Sequence, residues 1–373
     1  MRGSAKGLRG LFVKGPADST YLLLVLLLLA MGLLMLFSAS YPSALYEEGD
    51  AAFYLRRQAL FAAFGLFLMF FVSKLDYHLF KRAAEWLMLL AIFLLVLVLA
   101  VGKVRNNARR WFIIGPLSFQ PSELAKLAVI VYFSATIAGK KEQMRTFRSG
   151  VLPYLLLLGI LSFLMLRQPH LSGTILLCGT GAALMFVGGI RYRWVILGAG
   201  LLLGGTQLFT AGILRYGQGR IATWHDPFSD ALGDGYQLAQ SQIAIGSGGL
   251  FGVGLGRGMQ KFLYLPEEHN DFIFAVVCEE VGFVGTLLVL LVFALLIIRG
   301  YQIARAAPDR FGSLLVVGVT TLVALQVFLN VAVVTGLLPT TGISLPFFSY
   351  GGSALVLLLV EMGVVLSVSR QVR

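Results

Sequence analysis

Long apolar runs recur along almost the whole sequence, and each is near the 18 residues that mark a membrane-spanning helix. At 1.5 Å per residue such a helix crosses a hydrocarbon core about 30 Å thick. Only 13% of the residues are charged, against about 25% in soluble domains, which excludes a water-soluble fold. The hydropathy pattern predicts an all-α, polytopic bundle of about ten spans, near residues 20–39, 59–73, 83–101, 121–138, 151–166, 171–189, 194–212, 271–298, 311–334 and 348–368.

The predicted organisation is a basic N-terminal segment, residues 1–17, followed by one membrane domain, residues 18–373. The basic segment and first apolar run are arranged as in a signal peptide, but this run is longer and begins late. We therefore interpret it as a membrane anchor. A long, glycine-rich extracellular loop, about 213–270, precedes the eighth span, and loops of this length usually carry function.

The charge distribution predicts the orientation of the bundle. An even number of spans places both termini on one side, and 18 of the 30 Lys and Arg residues then fall on that side, against 11 opposite and Lys126 within a span. The excess of positive charge favours cytoplasmic termini. Because these cations lie in short clusters between spans, the net charge of +12 does not indicate nucleic-acid binding.

One basic cluster opposes this orientation rule. Residues 103–110 would lie outside, and they include Arg109 and Arg110 directly before Trp111. The cluster is either a solvated loop held outside by its neighbours or a binding site for a multiply charged anion.

Charged residues also interrupt the fourth predicted span. Glu123 and Lys126 are three residues apart, so they share one helix face, and they follow Gln120 and Ser122. Charges inside a membrane normally face a cavity or a partner and are functional. The alternative is a buried ion pair that fixes helix packing.

Acidic residues gather where the long loop meets the eighth span. The group consists of the acids Glu267, Glu268 and Asp271 together with the imidazole of His269, and Glu279 and Glu280 follow in the apolar helix. Capping of the helix explains one acid but not the whole group. Upstream, alternating glycines at Gly252–Gly258 form either a tight loop or a backbone approach to phosphate. The uncharged segment Gly336–Ser353 is rich in helix breakers, and we expect it to re-enter the fold.

Together these segments resemble the SEDS family of shape, elongation, division and sporulation proteins (RodA, FtsW and SpoVE), over nearly the whole chain from about residue 18. Three further segments, 54–58, 168–174 and 260–266, look closer to the FtsW/SpoVE branch. The family often has Asp at the position of His170 and Thr at the position of Asn270, and these two differences make the assignment to a branch less specific. The most specific matches are Arg110-Trp111, Gln120–Glu123 with Lys126, Gln168-Pro169, Pro266–Phe274, Glu279-Glu280 and Gly336–Ser353.

The resemblance implies a peptidoglycan glycosyltransferase that polymerises lipid II at the outer face of the cytoplasmic membrane, in division, sporulation or elongation, and releases undecaprenyl pyrophosphate. Asp271 would be the general base. The implied residues for substrate and pyrophosphate are Arg109, Arg110, Gln120, Ser122, Glu123 and Lys126. The implied supporting residues are Glu268, His269, Glu279, Glu280, Ser349, Gly351, Gly352 and Ser353.

The resemblance also implies cofactors and partners. A divalent Mg²⁺ or Mn²⁺ could share the neutralisation of pyrophosphate, whereas no nucleotide or organic cofactor is expected. The expected partners are lipid II, the lipid-linked glycan, membrane lipids, a class B penicillin-binding protein and the division or elongation machinery. Cys178 and Cys278 lie in apolar runs and are expected to be free. Two other functions stay open: a lipid II flippase and a non-catalytic division scaffold.

Overall fold

The computed structural model describes residues 12–105, 108–114, 117–194 and 224–372. Within these ranges the chain forms ten α-helices and one small antiparallel sheet. The helices are α1 (Ser19–Glu48), α2 (Phe53–Lys74), α3 (His78–Val101), α4 (Pro121–Lys140), α5 (Leu152–Leu166), α6 (Leu171–Val187), α7 (Tyr236–Gly248), α8 (Ile273–Ala306), α9 (Arg310–Val334) and α10 (Gly352–Ser369). The strands are β1 (Lys103–Arg105), β2 (Ala108–Ile114) and β3 (Leu117–Phe119).

The described helices confirm the prediction of an all-α, polytopic membrane fold. Eight helical segments in the described ranges are long and apolar enough to cross a membrane: seven of these helices, and α5 together with the turn before it, Phe147–Leu166. Helix α6 is a shorter apolar helix. These nine helices correspond to nine of the predicted spans. The remaining predicted span, 194–212, lies outside the described residues except for Trp194, and so does the start of the long loop. Helix α7 lies within that loop and was not predicted. Cys178 and Cys278 are both free, as expected.

The bundle has two ends, which we name after the aspartate at each. At the Asp18 end, the Asp18 carboxylate caps α1 by accepting from the Tyr21 amide at 2.8 Å and pairs with Arg299 of α8 at 2.6 Å. Asp309 caps α9 at the same end and accepts from the Gly312 amide. The sheet, the turn between α5 and α6, and the start of α8 lie at the opposite end, the Asp271 end.

Helices α4, α9 and α10 form the centre of the bundle. Helix α4 packs against α3, α6 and α9, while α10 runs along α2. Small residues allow this close approach: a Cβ built on Gly363 of α10 would lie 2.7 Å from the Met69 carbonyl oxygen of α2. The buried side of α4 extends from Ala125 to Val131 and is almost wholly inaccessible.

The basic segment 103–110 was expected to be a loop, and the structure corrects this: it belongs to the sheet. Strands β1, β2 and β3 pair in sequence order, with Val104 opposite Arg109 and Phe112 opposite Phe119. The β-branched and aromatic residues of β2 favour an extended chain. Because successive side chains of a strand point to opposite faces, Arg109 and Arg110 point in different directions.

Helix α8 is interrupted at Gly282, whose φ of 70° is not helical. Residues 249–254 of the long loop insert at this break and replace the missing hydrogen bonds. The loop amides of Val253 and Gly254 donate to the α8 carbonyls of Glu279 and Glu280 at 3.0 and 3.1 Å. In return, the α8 amides of Phe283 and Val284 donate to the loop carbonyls of Gly249 and Leu250 at 2.9 and 3.0 Å. Membrane-embedded backbone needs such internal partners. Gly252 and Gly254 have φ of 78° and 101°, so the tight-loop interpretation is confirmed.

Candidate active site

Asp271 lies at the Asp271 end, two residues before α8, where three segments meet. The Asn330 side-chain amide of α9 donates to the Asp271 carbonyl at 2.8 Å and to the Ile343 carbonyl at 2.6 Å. On the carboxyl side, a Cβ built on Gly342 would lie 2.6 Å from the Asp271 Oδ2. The loop before α8, the end of α9 and the segment 336–351 therefore fix the position of this carboxyl group together.

The surroundings of Asp271 shift its protonation equilibrium. Its half-buried position removes hydration and raises the pKa of the carboxyl to about 7, and the nearby charge of Glu267 acts in the same direction. Arg110 and His269 oppose this rise in the pKa. A carboxyl with a pKa near the working pH suits a general base, because it is both ionised in part and basic enough to accept a proton.

Arg110 connects the sheet to the turn between α5 and α6. Its Nε donates to the Gln168 carbonyl at 2.9 Å, and its Nη2 donates to the Pro169 carbonyl. Arg110 also acts electrostatically on Asp271 and on His170. Arg109, by contrast, is exposed, and among the described residues its side chain makes a single long contact, 3.5 Å from the Leu99 carbonyl. The structure brings Arg110 to Asp271 but leaves Arg109 outside this group.

His170 links Arg110 to the start of α4. Its Nε2 lies 3.1 Å from the Gln120 side-chain nitrogen. Burial lowers the pKa of His170 to about 3, with Arg110 and Lys126 acting in the same direction, so the imidazole is neutral. If the Gln120 amide donates to Nε2, the ring proton is on Nδ1. Among the described residues, this Nδ1 and the buried Ser122 hydroxyl have no hydrogen-bond partner.

Glu123 and Lys126 form the ion pair that the helix spacing predicted. The Lys126 Nζ lies 2.8 Å from the Glu123 Oε2, with the lysine side chain 3% exposed and the glutamate 15% exposed. Glu361 of α10 is buried and acts electrostatically on both residues. Glu123 and Lys126 follow Gln120 at the start of α4, and Lys126 also acts electrostatically on His170.

The second half of the segment Gly336–Ser353, from Ile343 onward, is largely buried and re-enters the fold as predicted, whereas Leu337 is 71% exposed. Its residues Ile343, Leu345, Phe347 and Phe348 are at most 3% exposed. The Ser349 hydroxyl donates to the Asn270 carbonyl at 2.7 Å, and the Ser353 hydroxyl accepts from the Gln120 amide at 3.3 Å. The segment thus joins the residue before Asp271 to the start of α4.

Two glycines near the end of this segment, Gly351 and Gly352, are held by α2. The Gly351 amide donates to the Gln58 Oε1 at 3.2 Å, and the Gln58 amide donates to the Ser349 carbonyl at 3.1 Å. A Cβ built on Gly352 would lie 2.5 Å from the Phe61 ring. These glycines and Ser349 therefore shape the backbone around Asp271.

The remaining acids of the predicted group have separate positions. Glu268 is buried and contacts the His269 Nδ1 at 3.2 Å, while the His269 ring stacks on Tyr54 with centroids 4.5 Å apart. Glu279 accepts from the Met259 amide at 2.7 Å. Glu280 forms an ion pair with Lys261. Glu279 and Glu280 thus hold the long loop on α8.

Gln58 and Asn330 were missed by the sequence reasoning. Both are buried amides of membrane-spanning helices, and each bridges two positions of the irregular segments around Asp271. A buried amide in a membrane-spanning helix is itself a signal, since it needs a polar partner that a neighbouring irregular segment can supply.

A membrane-spanning bundle with a half-buried acid and adjacent cations at one end defines a polytopic membrane protein with an enzyme-like site. The family model FTSW_RODA_SPOVE, described as "Cell cycle protein", matches residues 18–373, and the chain belongs to this family. The resemblance inferred from the sequence is therefore confirmed.

Curated relatives and solved structures extend this result. The chain is 44% identical to stage V sporulation protein E of Bacillus subtilis, over 96% of this chain and 99% of the relative. It is 39% identical to the probable peptidoglycan glycosyltransferase FtsW of Geobacter sp. (strain M18), over 95% and 97%. A chain from a peptidoglycan synthase complex that coordinates polymerization and crosslinking superposes with a TM-score of 0.80 at 31% identity, covering 95% and 98%. Thermus thermophilus RodA gives 0.71 at 31% identity, covering 95% and 97%.

Proposed function

We propose that this chain is a peptidoglycan glycosyltransferase that polymerises lipid II into glycan strands. The observation that carries the proposal is the half-buried Asp271 carboxyl, which three segments hold in place and on which the Arg110 guanidinium acts electrostatically. Family membership supports it, since several relatives are named as probable peptidoglycan glycosyltransferases. The chain is similar to a stage V sporulation protein E, to an FtsW and to a RodA, so these relatives do not decide between a role in sporulation, division or elongation.

In the proposed reaction, a hydroxyl oxygen of the lipid II acceptor attacks the anomeric carbon of the lipid-linked glycan. A new glycosidic C–O bond forms, the C–O bond to pyrophosphate breaks, and the hydroxyl proton passes to the Asp271 carboxylate. This single displacement inverts the anomeric carbon, so one carboxylate suffices. Arg110 and Lys126 stabilise the negative charge that develops on the leaving undecaprenyl pyrophosphate.

Two buried polar atoms support a substrate position beside these residues. Buried polar groups in native proteins nearly always have a hydrogen-bond partner. Within the described part of the chain, the His170 Nδ1 and the Ser122 hydroxyl have none. We assign both to contacts with the phosphate or sugar oxygens of the substrate, together with Gln120 and the Glu123–Lys126 pair.

A divalent cation remains a proposal. Among the described residues, no group of three or more His, Cys, Asp or Glu side chains could hold a metal by itself. Magnesium, however, needs only one or two carboxylates when substrate phosphates complete its coordination. The carboxylates of Asp271 and Glu267 interact electrostatically and fit such a shared site. When bound there, Mg²⁺ or Mn²⁺ would neutralise part of the pyrophosphate charge.

The proposed orientation places both termini in the cytoplasm and the Asp271 end outside. The excess of Lys and Arg at the Asp18 end supports it. Lipid II and the growing glycan would then meet Asp271 at the outer face of the cytoplasmic membrane. A class B penicillin-binding protein and the division or elongation machinery are the proposed protein partners, supported by the similarity to a chain of a peptidoglycan synthase complex.

Purified protein mixed with fluorescently labelled lipid II, with and without Mg²⁺ or Mn²⁺, tests the proposal. We expect glycan chains, separated by gel electrophoresis, that a muramidase digests. Movement of lipid II across vesicle membranes without any glycan product would instead support the flippase alternative. A protein that does neither, yet restores division or sporulation in cells when Asp271 is replaced, would support the scaffold alternative.

A further inference from the structure

A groove between α4 and α5 lies at the Asp18 end, far from Asp271. Its cavity has a volume of about 270 Å³ and opens to the side of the bundle. One wall carries Tyr132, Thr136 and Lys140, which are spaced four residues apart and share one face of α4. The other wall is formed by α5, including Tyr154, Leu157 and Ile160. Eight residues separate Tyr132 from Lys140, so the α4 wall is about 12 Å long.

The groove is polar at one end and apolar at the other. Its apolar wall is exposed at the side of the bundle, with Leu156 59% and Ile160 52% exposed, and such side chains face lipid in a membrane-spanning helix. Towards the Asp18 end, the Tyr154 hydroxyl donates to the Thr136 hydroxyl at 3.1 Å. This change from apolar to polar along the helix axis matches an amphiphile whose headgroup lies at the membrane surface.

Lys140 supplies the positive charge at the polar end. Its Nζ donates to the Ser149 carbonyl at 2.9 Å and lies 4.8 Å from the centre of the Tyr154 ring. Within the described ranges it has no carboxylate at salt-bridge distance. An ammonium group has three donors, so a phosphate oxygen has room to accept from this one.

The connection that follows α4 adds more positive charge. From Lys140 to Arg148 the sequence has four cations, Lys140, Lys141, Arg145 and Arg148, and one acid, Glu142, so the net charge is 4 − 1 = +3. Clusters of basic residues directly beside a membrane-spanning helix attract anionic lipids. This charge favours an anionic headgroup over a zwitterionic one.

We propose that this groove binds an anionic glycerophospholipid, with its phosphate against Lys140 and one acyl chain along Leu157 and Ile160. A free phosphate ion would leave the apolar wall uncovered, whereas a phospholipid covers both parts of the groove. The leaflet is the inner one if the proposed orientation holds. The binding site itself depends neither on that orientation nor on the enzymatic reaction.

Native mass spectrometry of the purified full-length protein tests the site, with phosphatidylglycerol, phosphatidylcholine and inorganic phosphate as the three probes. We expect retention of phosphatidylglycerol in preference to phosphatidylcholine, with no competition from millimolar phosphate. Lys140→Gln should weaken phosphatidylglycerol binding about fivefold, the effect of one lysine near an anionic surface. Ile160→Trp, a change on the lipid-facing side, should block the chain position and weaken binding to a similar extent.

Lys81→Gln is the matched control, because Lys81 also lies over an aromatic ring at the Asp18 end, 5.8 Å from that of Phe311. It should bind phosphatidylglycerol like the parent protein. Equal losses in Lys81→Gln and Lys140→Gln would overturn the site, since general surface charge would then explain the binding. Parent-like binding by Ile160→Trp, or competition by inorganic phosphate, would refute the proposal that the acyl chain of the lipid lies in the groove.

Discussion

Lys261 with Glu280, and Lys126 with Glu123, are both lysine–glutamate pairs buried within the bundle, but their surroundings differ. Lys261 and Glu280 are wholly inaccessible and 2.5 Å apart. Both Glu280 oxygens also accept from the Ser38 hydroxyl, at 2.7 and 2.6 Å. The Lys261 ammonium contacts the same hydroxyl at 3.3 Å and lies 4.9 Å from the Tyr41 ring. The partners of this pair come from the protein itself.

The Lys126–Glu123 pair has fewer partners within the described residues. The Lys126 ammonium has one carboxylate at salt-bridge distance, that of Glu123, whose side chain is 15% exposed. Nearby, the Ser122 hydroxyl and the His170 Nδ1 have no partner in the described part of the chain. A buried polar group without a partner is costly unless something satisfies it. A bound substrate would supply the missing contacts here, but the Lys261 pair has no need of one.

Lys261–Glu280 is therefore a structural ion pair and Lys126–Glu123 a candidate binding pair, although both consist of lysine and glutamate in apolar surroundings. Ser38 is twenty residues beyond Asp18, so the Lys261 pair lies about 30 Å from the Asp18 end, near the opposite boundary of the hydrocarbon core. There it holds the long loop that ends at Asp271. We therefore expect its loss to destabilise the fold, and loss of the other pair to impair the reaction.

The largest expected effect is on stability, from Lys261→Met. This change leaves the Glu280 carboxylate buried without its cation, which costs about 3–5 kcal/mol. The free energy of unfolding in mixed micelles measures the loss. Lys126→Met is the matched control and should lose clearly less, because Glu123 keeps access to solvent. The double variant Lys261→Met with Glu280→Leu should recover much of the stability. Equal losses from Lys261→Met and Lys126→Met would remove the distinction between the pairs.

Asp271→Asn should abolish most of the activity without unfolding the protein. An amide cannot accept the acceptor proton, so we expect the polymerisation rate to fall at least about a hundredfold. Lipid II binding and the unfolding temperature should stay near those of the parent. Asp234→Asn, an exposed acid in the same loop, is the control and should remain active. A well-folded Asp271→Asn protein that polymerises at the parent rate would refute the assignment.

A double-mutant cycle on Glu123→Gln and Lys126→Gln tests whether the second pair acts as a unit. Because each charge is held by the other, we expect a coupling of about 1–3 kcal/mol in the polymerisation rate. Combining Glu123→Gln with a change at distant Lys81 gives the reference, which should be additive within about 0.5 kcal/mol. Additivity within the pair itself would mean that the ion pair is only a packing contact.

Arg110→Lys should reduce the rate about tenfold, the cost of roughly one charged hydrogen bond. A single ammonium cannot reproduce the fork that holds the Gln168 and Pro169 carbonyls. Arg109→Lys makes the same chemical change on the other face of β2 and should have little effect. If both variants polymerise lipid II like the parent across a range of salt, the pyrophosphate contact would move to Lys126.

Most of the helical architecture could be predicted from the sequence, because each span must satisfy its own backbone in lipid and so appears as a long apolar run. The Glu123–Lys126 pair followed from helix periodicity alone. The strands β1 and β3 have three residues each, too few for an alternating pattern to stand out. Both Arg109 and Arg110 were assigned to pyrophosphate from the sequence, with only Arg110 inside the specific family match, but their opposite directions follow from the β2 strand, which was not predicted.

Other features could not be predicted because they depend on contacts between distant segments. The break at Gly282 is stable only because residues 249–254 complete its hydrogen bonds. From the sequence, Glu280 was grouped with the acids around Asp271, but in the structure it pairs with Lys261. Which of these two environments an acid has depends on how distant segments pack. The bridges made by Gln58 and Asn330 join segments up to 293 residues apart, which no local pattern reports.

The smallest expected effect is on the pH profile of polymerisation. The base acts when ionised, so the rate should rise with pH through the Asp271 pKa of about 7, reach about half its plateau there, and level off above it. His170 adds no second inflection between pH 5 and 9, because its pKa is lowered to about 3. The Glu267 charge raises the Asp271 pKa, so Glu267→Gln should move the midpoint to lower pH. A midpoint that stays fixed or moves upward would show that Asp271 is not the group being titrated.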